Sequence, residues 1–149
     1  MRSFDHPNLT FQGGSFQDVP ALIPALSALG RQLEPSEVVV DGWSCYQPSN
    51  TVFLKVALAD QLQQVQHKVH ALLEGHCQDL FAHYLPTEWQ PHITVAMDDL
   101  SDVGFDRARR ALRAYHPRYR QVLSNLHLVE LPQEPSCVEI ACRFMLGRQ

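Results

Sequence analysis

In HPNLTF (residues 6–11) apolar and polar positions alternate, with Leu9 and Phe11 on one side and Asn8 and Thr10 on the other, as in a strand. The period then changes. Val19, Leu22, Ile23, Leu26, Leu29 and Leu33 recur at helical spacing behind Asp18, a capping residue, and Pro24 is expected to delay or kink that helix. EVVV (residues 37–40), a DG turn, WSCY and TVFLKVAL read as a β-rich stretch. LADQLQQVQHKVHALLEG places Leu62, Val65, Val69, Leu72 and Leu73 on one helical face. After a less regular region, PHITVAM reads as a strand and GFDRARRALRAYH as a helix. RYRQVL, LHLVEL and CVEIACRFML close the chain as strands.

The order is strand–helix–strands–helix–strand–helix–strands, with no Pro/Gly/Ser-rich linker to divide it. It predicts an α+β protein in which residues 1–149 form a single domain of two similar lobes. Composition narrows the function without selecting one. The formal net charge of −4 argues against a partner in long duplex nucleic acid, since phosphate contacts need a basic excess. Within RARRALRAYHPRYR, Arg107, Arg109, Arg110, Arg113, Arg118 and Arg120 lie close together. They read first as a solvated helix face followed by a basic strand, and second as a rim guiding a short nucleotide or RNA end. No apolar run reaches membrane-spanning length and no apolar signal core follows Met1, so no membrane partner and a cytoplasmic location are expected. Cys45, Cys77, Cys137 and Cys142 have neither zinc-ribbon nor CxxC spacing and are expected to be reduced.

One local phrase occurs twice. PNLTF (residues 7–11) and PHITV (residues 91–95) share proline, a polar residue, a branched aliphatic, threonine and an apolar residue. In a strand, His92 and Thr94 project from one face, leaving Ile93 and Val95 for the core, and Asn8 and Thr10 do the same in the first copy. Two lobes related by a pseudo-twofold would set these pairs facing each other across a groove. Hydroxyls and an imidazole suit a phosphodiester, the hydroxyls donating to its oxygens and the imidazole moving a proton near neutral pH.

With these residues the chain resembles the two-histidine phosphoesterases, the superfamily of 2′-5′ RNA ligases and RNA 2′,3′-cyclic phosphodiesterases, whose mark is a pair of H-x-T motifs. EVVVDGWSCYQPSNTVFLKV, WQPHITVAMDDLSDVGFDRA and CVEIACRFMLG are similar to the family's central stretch, second motif and closing strand. The resemblance implies a bilobal fold, two antiparallel-rich sheets with flanking helices around a central cleft, and no required metal or cofactor. It implies a substrate that is a small nucleotide or an RNA 3′ end carrying a cyclic phosphate, or a 2′,5′ linkage. One motif histidine would act as general base and the other as general acid. On this chain His92 and Thr94 match the second motif, as catalytic residues, and Thr10 matches the threonine of the first. Asn8 stands where the first histidine belongs. An amide binds phosphate but transfers no proton near neutral pH, and losing one acid–base partner typically removes on the order of 10²–10⁴ in rate.

His6, on the same strand face as Asn8 but roughly 6–7 Å along it, is expected at the mouth of the cleft. His127 is a second histidine that could border the groove. Family members usually carry a strand and helix before the first motif, and only seven residues precede Asn8 here. Either the start is truncated, or a neighbouring subunit fills the gap, or an exposed sheet edge is tolerated, and such an edge leaves room for a homodimer. Tyr46 is a candidate to stack a base at the cleft edge, and Trp43 to pack in the core. Asp98 and Asp99 read as turn and cap residues of the following helix. His67, His70, His76, Cys77 and His83 crowd one region but complete no recognised zinc pattern, so no metal site is assigned. Two functions follow: a metal-independent phosphodiesterase acting through His92, or a nucleotide- or RNA-end-binding module or scaffold without turnover because of Asn8.

Overall fold

The computed structural model describes residues 8–97, 100–130 and 139–147. Helix α1 (Val19–Gln32) starts where Asp18 Oδ1 accepts from the Ala21 amide at 3.0 Å. Pro24 lies inside it without delaying its start, because Leu22, Leu26 and Leu29 bury the helix against the rest of the lobe. Strand β1 (Ser36–Tyr46) pairs antiparallel with β2 (Thr51–Val56) and with β4 (Arg118–Leu123). Helix α2 (Asp60–Glu74) follows, then β3 (His92–Ala96), which pairs antiparallel with β2, and α3 (Asp102–Leu112). The four-stranded sheet has the order β3-β2-β1-β4. Strands β5 (Asn125–Glu130) and β6 (Glu139–Met145) form a separate antiparallel pair. Mixed α and β elements around two antiparallel sheets are the expected α+β architecture.

Each sheet owns a core. Leu22, Leu26, Leu29 and Leu33 of α1 and its cap pack with Val65, Val69 and Leu73 of α2 and with Leu126, Phe144 and Leu146. Val38, Val40, Val56, Leu62 and Trp89 form the second core under the four-stranded sheet, with Leu9, Leu54 and Ile93 against it. Helix α2 serves both, and Phe11 touches both.

Three local expectations change. The Asp41–Gly42 pair does not turn the chain. It forms a bulge inside β1 between the pairs Val40–Val56 and Trp43–Leu54, with Gly42 at φ +84°, a conformation glycine adopts at no steric cost. The chain reverses instead at the 3₁₀ turn Gln47–Ser49, where Asn50 takes the left-handed conformation (φ 46°). The Asn50 amide donates to Leu100 O and Asp102 Oδ1, both at 3.0 Å, and so ties this turn to α3. Second, Val95 is 64 % exposed and not in the core. Val52 pairs with Ala96 and Phe53 with Thr94, so Val95 is the extra residue of a bulge and loses its place in the alternation. Third, Ser101 caps α3, its Oγ accepting from Gly104 N at 3.2 Å, while Asp98 and Asp99 lie outside the described residues.

Candidate active site

Among the described residues of the first pentapeptide, 8–11, Leu9 makes an isolated bridge, pairing antiparallel with Ile93. Its next carbonyl is taken by a side chain, since Trp89 Nε1 donates to Thr10 O at 3.0 Å, and the Phe11 and Trp89 rings stack at 5.5 Å. The two copies of the phrase thus lie side by side, joined at their central aliphatics, and not apart across a groove. Antiparallel register about this bridge sets Thr10 beside His92 and Asn8 beside Thr94. Leu9 and Ile93 both pack on the second core, so all four polar side chains occupy the opposite, open face. Thr10 Oγ1 donates to Asn8 Oδ1 at 3.4 Å, consistent with a shared face.

Cross-strand pairing widens the constellation. Thr94 is opposite Phe53 and His92 is opposite Lys55. Directly opposed Cβ atoms lie about 4.5–5.5 Å apart. The Phe53 and His92 rings approach to 5.2 Å between centroids, tilted at 57°. On the other side Tyr84 stacks nearly parallel to His92, at 6.5 Å and 14°. His92 is half-buried between these rings, while Thr94 is exposed.

The hydrogen bonds determine which atoms are available. His92 Nδ1 lies 2.7 Å from Gln90 O. A carbonyl only accepts, so Nδ1 carries the proton and Nε2 of the neutral ring keeps a lone pair free to take one. The Tyr84 side chain is hydrogen-bonded to Thr10; burial raises its pKa above 10.0, and the Thr10 bond pulls the other way. The phenol keeps its proton at neutral pH, and the Thr10 hydroxyl donates to Asn8 Oδ1. That bond engages the Asn8 carbonyl oxygen and leaves the amide NH₂ as a donor. The Thr10–Asn8 bond, at 3.4 Å, is long and readily exchanged for a phosphate oxygen. The face therefore offers an amide donor, hydroxyls at Thr10 and Thr94, and one imidazole able to transfer protons.

Tyr46 is 59 % exposed and lies two residues beyond Ser44, whose partner Phe53 is itself opposite Thr94. By alternation it shares the open face at a distance from His92. Trp43 is half-buried, with Nε1 donating to Leu112 O at 2.8 Å. His6 lies outside the described residues. His127 sits on β5, where Nε2 accepts from Arg143 Nε at 2.9 Å. His67 is exposed and His70 is buried, 3.1 Å from Gln12 Nε2, so the two do not form a common ligand pair. Among the described residues no three His, Cys, Asp or Glu side chains gather as a metal site would need. Cys45, Cys77 and Cys142 are free thiols, and Cys137 lies outside the described residues. No described helix is long and apolar enough to cross a membrane.

Tyr84, Phe53 and Lys55 were not singled out from the sequence. The alternation of TVFLKV puts Phe53 and Lys55 on one side, but only the β2–β3 register brings them to His92. Tyr84 lies in the 3₁₀ turn Ala82–Tyr84, inside the region without a period, and no sequence signal marks it.

Comparison with known proteins gives the family and the fold. The pattern of the 2′-5′ RNA ligase superfamily matches residues 4–134, and the chain belongs to that superfamily. No curated protein matches it. The fold is similar to the crystal structure of a phosphoesterase, with a TM-score of 0.63 at 16% identity over 97% of this chain and 79% of that one. It is also similar to TT0787 of Thermus thermophilus, with a TM-score of 0.60 at 15% identity over 96% and 79% of the two chains.

Proposed function

We propose that the face formed by Asn8, Thr10, His92 and Thr94 binds the terminal phosphodiester of a small nucleotide or RNA end and that His92 transfers a proton there. The favoured substrates are a 2′,3′-cyclic phosphate or a 2′,5′ linkage. Superfamily membership supports phosphodiesterase- or RNA ligase-like chemistry in general terms. The observation that carries the particular reading is the Leu9–Ile93 bridge, which puts both copies of the motif on one face beside an imidazole with an open Nε2. In this reading Nε2 removes the proton from the attacking water, Thr94 and the Asn8 amide donate to the non-bridging oxygens, and Thr10 exchanges its Asn8 bond for a phosphate oxygen. Among the described residues no second imidazole lies on the Asn8 side, and in this reading water protonates the leaving oxygen.

Asn8 favours a second reading, in which the same face binds the phosphate without turnover. Hydrolysis of a 2′,3′-cyclic mononucleotide, and of a short RNA ending in one, separates the two. The first reading expects slow turnover by the natural protein, lost in His92→Ala and raised by roughly 10²–10⁴ in Asn8→His, the range one acid–base partner typically contributes. Turnover only in Asn8→His establishes the binding module. Absence of both turnover and binding in every form removes the site.

A further inference from the structure

A groove of about 560 Å³ lies between α3 and the bulge of β1, lined by Gly42, Trp43, Lys55, Arg110, Arg113 and His116, with Arg109 and Asp106 on its wall. We infer that this groove carries the phosphates upstream of the reacting one, so that the substrate is a single-stranded oligonucleotide 3′ end and not a mononucleotide. The inference takes its direction from the phosphate site proposed at His92.

Charge is the first argument. The chain has a formal net charge of −4, yet this groove gathers Lys55, Arg109, Arg110 and Arg113 against one carboxylate, Asp106. Arg109 is engaged, 3.6 Å from Asp106 and with its guanidinium over the Phe105 ring at 5.7 Å. Lys55, Arg110 and Arg113 make no ion pair among the described residues, whereas Arg118 and Arg120 on β4 face Asp41 and Glu37. Arginines in a last helical turn are ordinary, because they oppose the helix dipole. That explanation leaves out Lys55, which reaches the same groove from β2.

Continuity is the second argument. Lys55 is the cross-strand partner of His92, so its side chain leaves the sheet on the face of the candidate site. It also lines the groove, lying along the backbone of Gly42, where a Cβ would meet its Cε at 3.2 Å. One cation thus belongs to both places, and an anion chain leaving His92 passes Lys55 before Arg110 and Arg113. A flexible single strand can follow that bend.

The test is fluorescence anisotropy of a labelled single-stranded octaribonucleotide ending in a 3′-phosphate, across a sodium chloride series. Three free cations predict a slope of log K against log salt of about −2, at roughly 0.7 per phosphate on single strands. Arg110→Glu/Arg113→Glu is expected to weaken binding at least tenfold and to flatten that slope. Binding within twofold of the natural protein, or octaglutamate competing as well as unlabelled RNA, overturns the inference. If circular dichroism shows the double reversal unfolded, Arg110→Gln/Arg113→Gln is judged instead, with a threefold loss as the threshold. The assay needs no turnover. Arginine-dependent RNA binding without hydrolysis by any form, Asn8→His included, removes the catalytic reading alone. Hydrolysis of cyclic mononucleotides together with arginine-independent RNA binding removes the groove alone.

Discussion

Two aromatic residues outside the motifs hold the site at the scale of single side chains. Trp89 is 4 % exposed and its indole N–H bonds the Thr10 carbonyl, anchoring the residues next to the Leu9–Ile93 bridge. Trp89→Phe keeps most of the apolar volume but leaves that carbonyl unpaired, for an expected loss of about 1–3 kcal/mol in urea unfolding. Tyr84 makes a pH-dependent contribution. Its folded pKa is raised by burial, so above pH 10 the unfolded chain releases the phenolic proton before the folded one does. The folded state then binds more protons, and stability falls as pH rises from 10 through the folded value; below 10 this effect is absent. Urea unfolding of the natural protein and Tyr84→Phe between pH 8 and 11 is expected to show a shallower alkaline decline in the variant. Equal declines would mean the phenol is not desolvated in solution.

At the scale of elements, two bulges do what regular strands could not. The bulge at Asp41–Gly42 keeps β1 running for eleven residues from Ser36 to Tyr46 and leaves room for Lys55. Gly42→Ala introduces a Cβ at φ +84° and 3.2 Å from Lys55 Cε. An expected cost of about 1–2 kcal/mol follows from the left-handed backbone alone, measured by chemical denaturation. The bulge at Val95 acts differently, because it releases an apolar side chain into solvent. Val95→Thr is expected to change stability by no more than about 0.5 kcal/mol, whereas a strand core position would lose more. A larger loss would mean that Val95 is covered in solution.

At the scale of the whole molecule, α2 joins the two cores. Leu62 packs under the four-stranded sheet, while Val65, Val69 and Leu73 pack with α1 and the β5–β6 pair. With Phe11 also touching both, the cores are expected to unfold as one cooperative unit. Leu22→Ala in the first core and Leu62→Ala in the second should each cost about 2–5 kcal/mol and move one common urea midpoint without changing its slope. Two separable transitions would show that α2 does not couple the cores.

Much of this was legible in the residues because it is local. The cap at Asp18, the apolar stripe of α2, the strand at His92 and the repeated phrase each depend on periods of two or 3.6 that a few neighbours define. The resemblance carried by PHITV pointed to the family, and the polar side of each pentapeptide followed from alternation. Long-range register did not follow. Which strand faces β3, where an extra residue bulges, and which indole takes the Thr10 carbonyl depend on contacts between residues as distant as Thr10 and Trp89. So too the side-by-side placement of the two phrases: sequence alone allowed facing lobes, while the Leu9–Ile93 bridge sets Thr10 next to His92. Alternation tells a side chain which face it is on. Only the packed sheet decides what stands opposite.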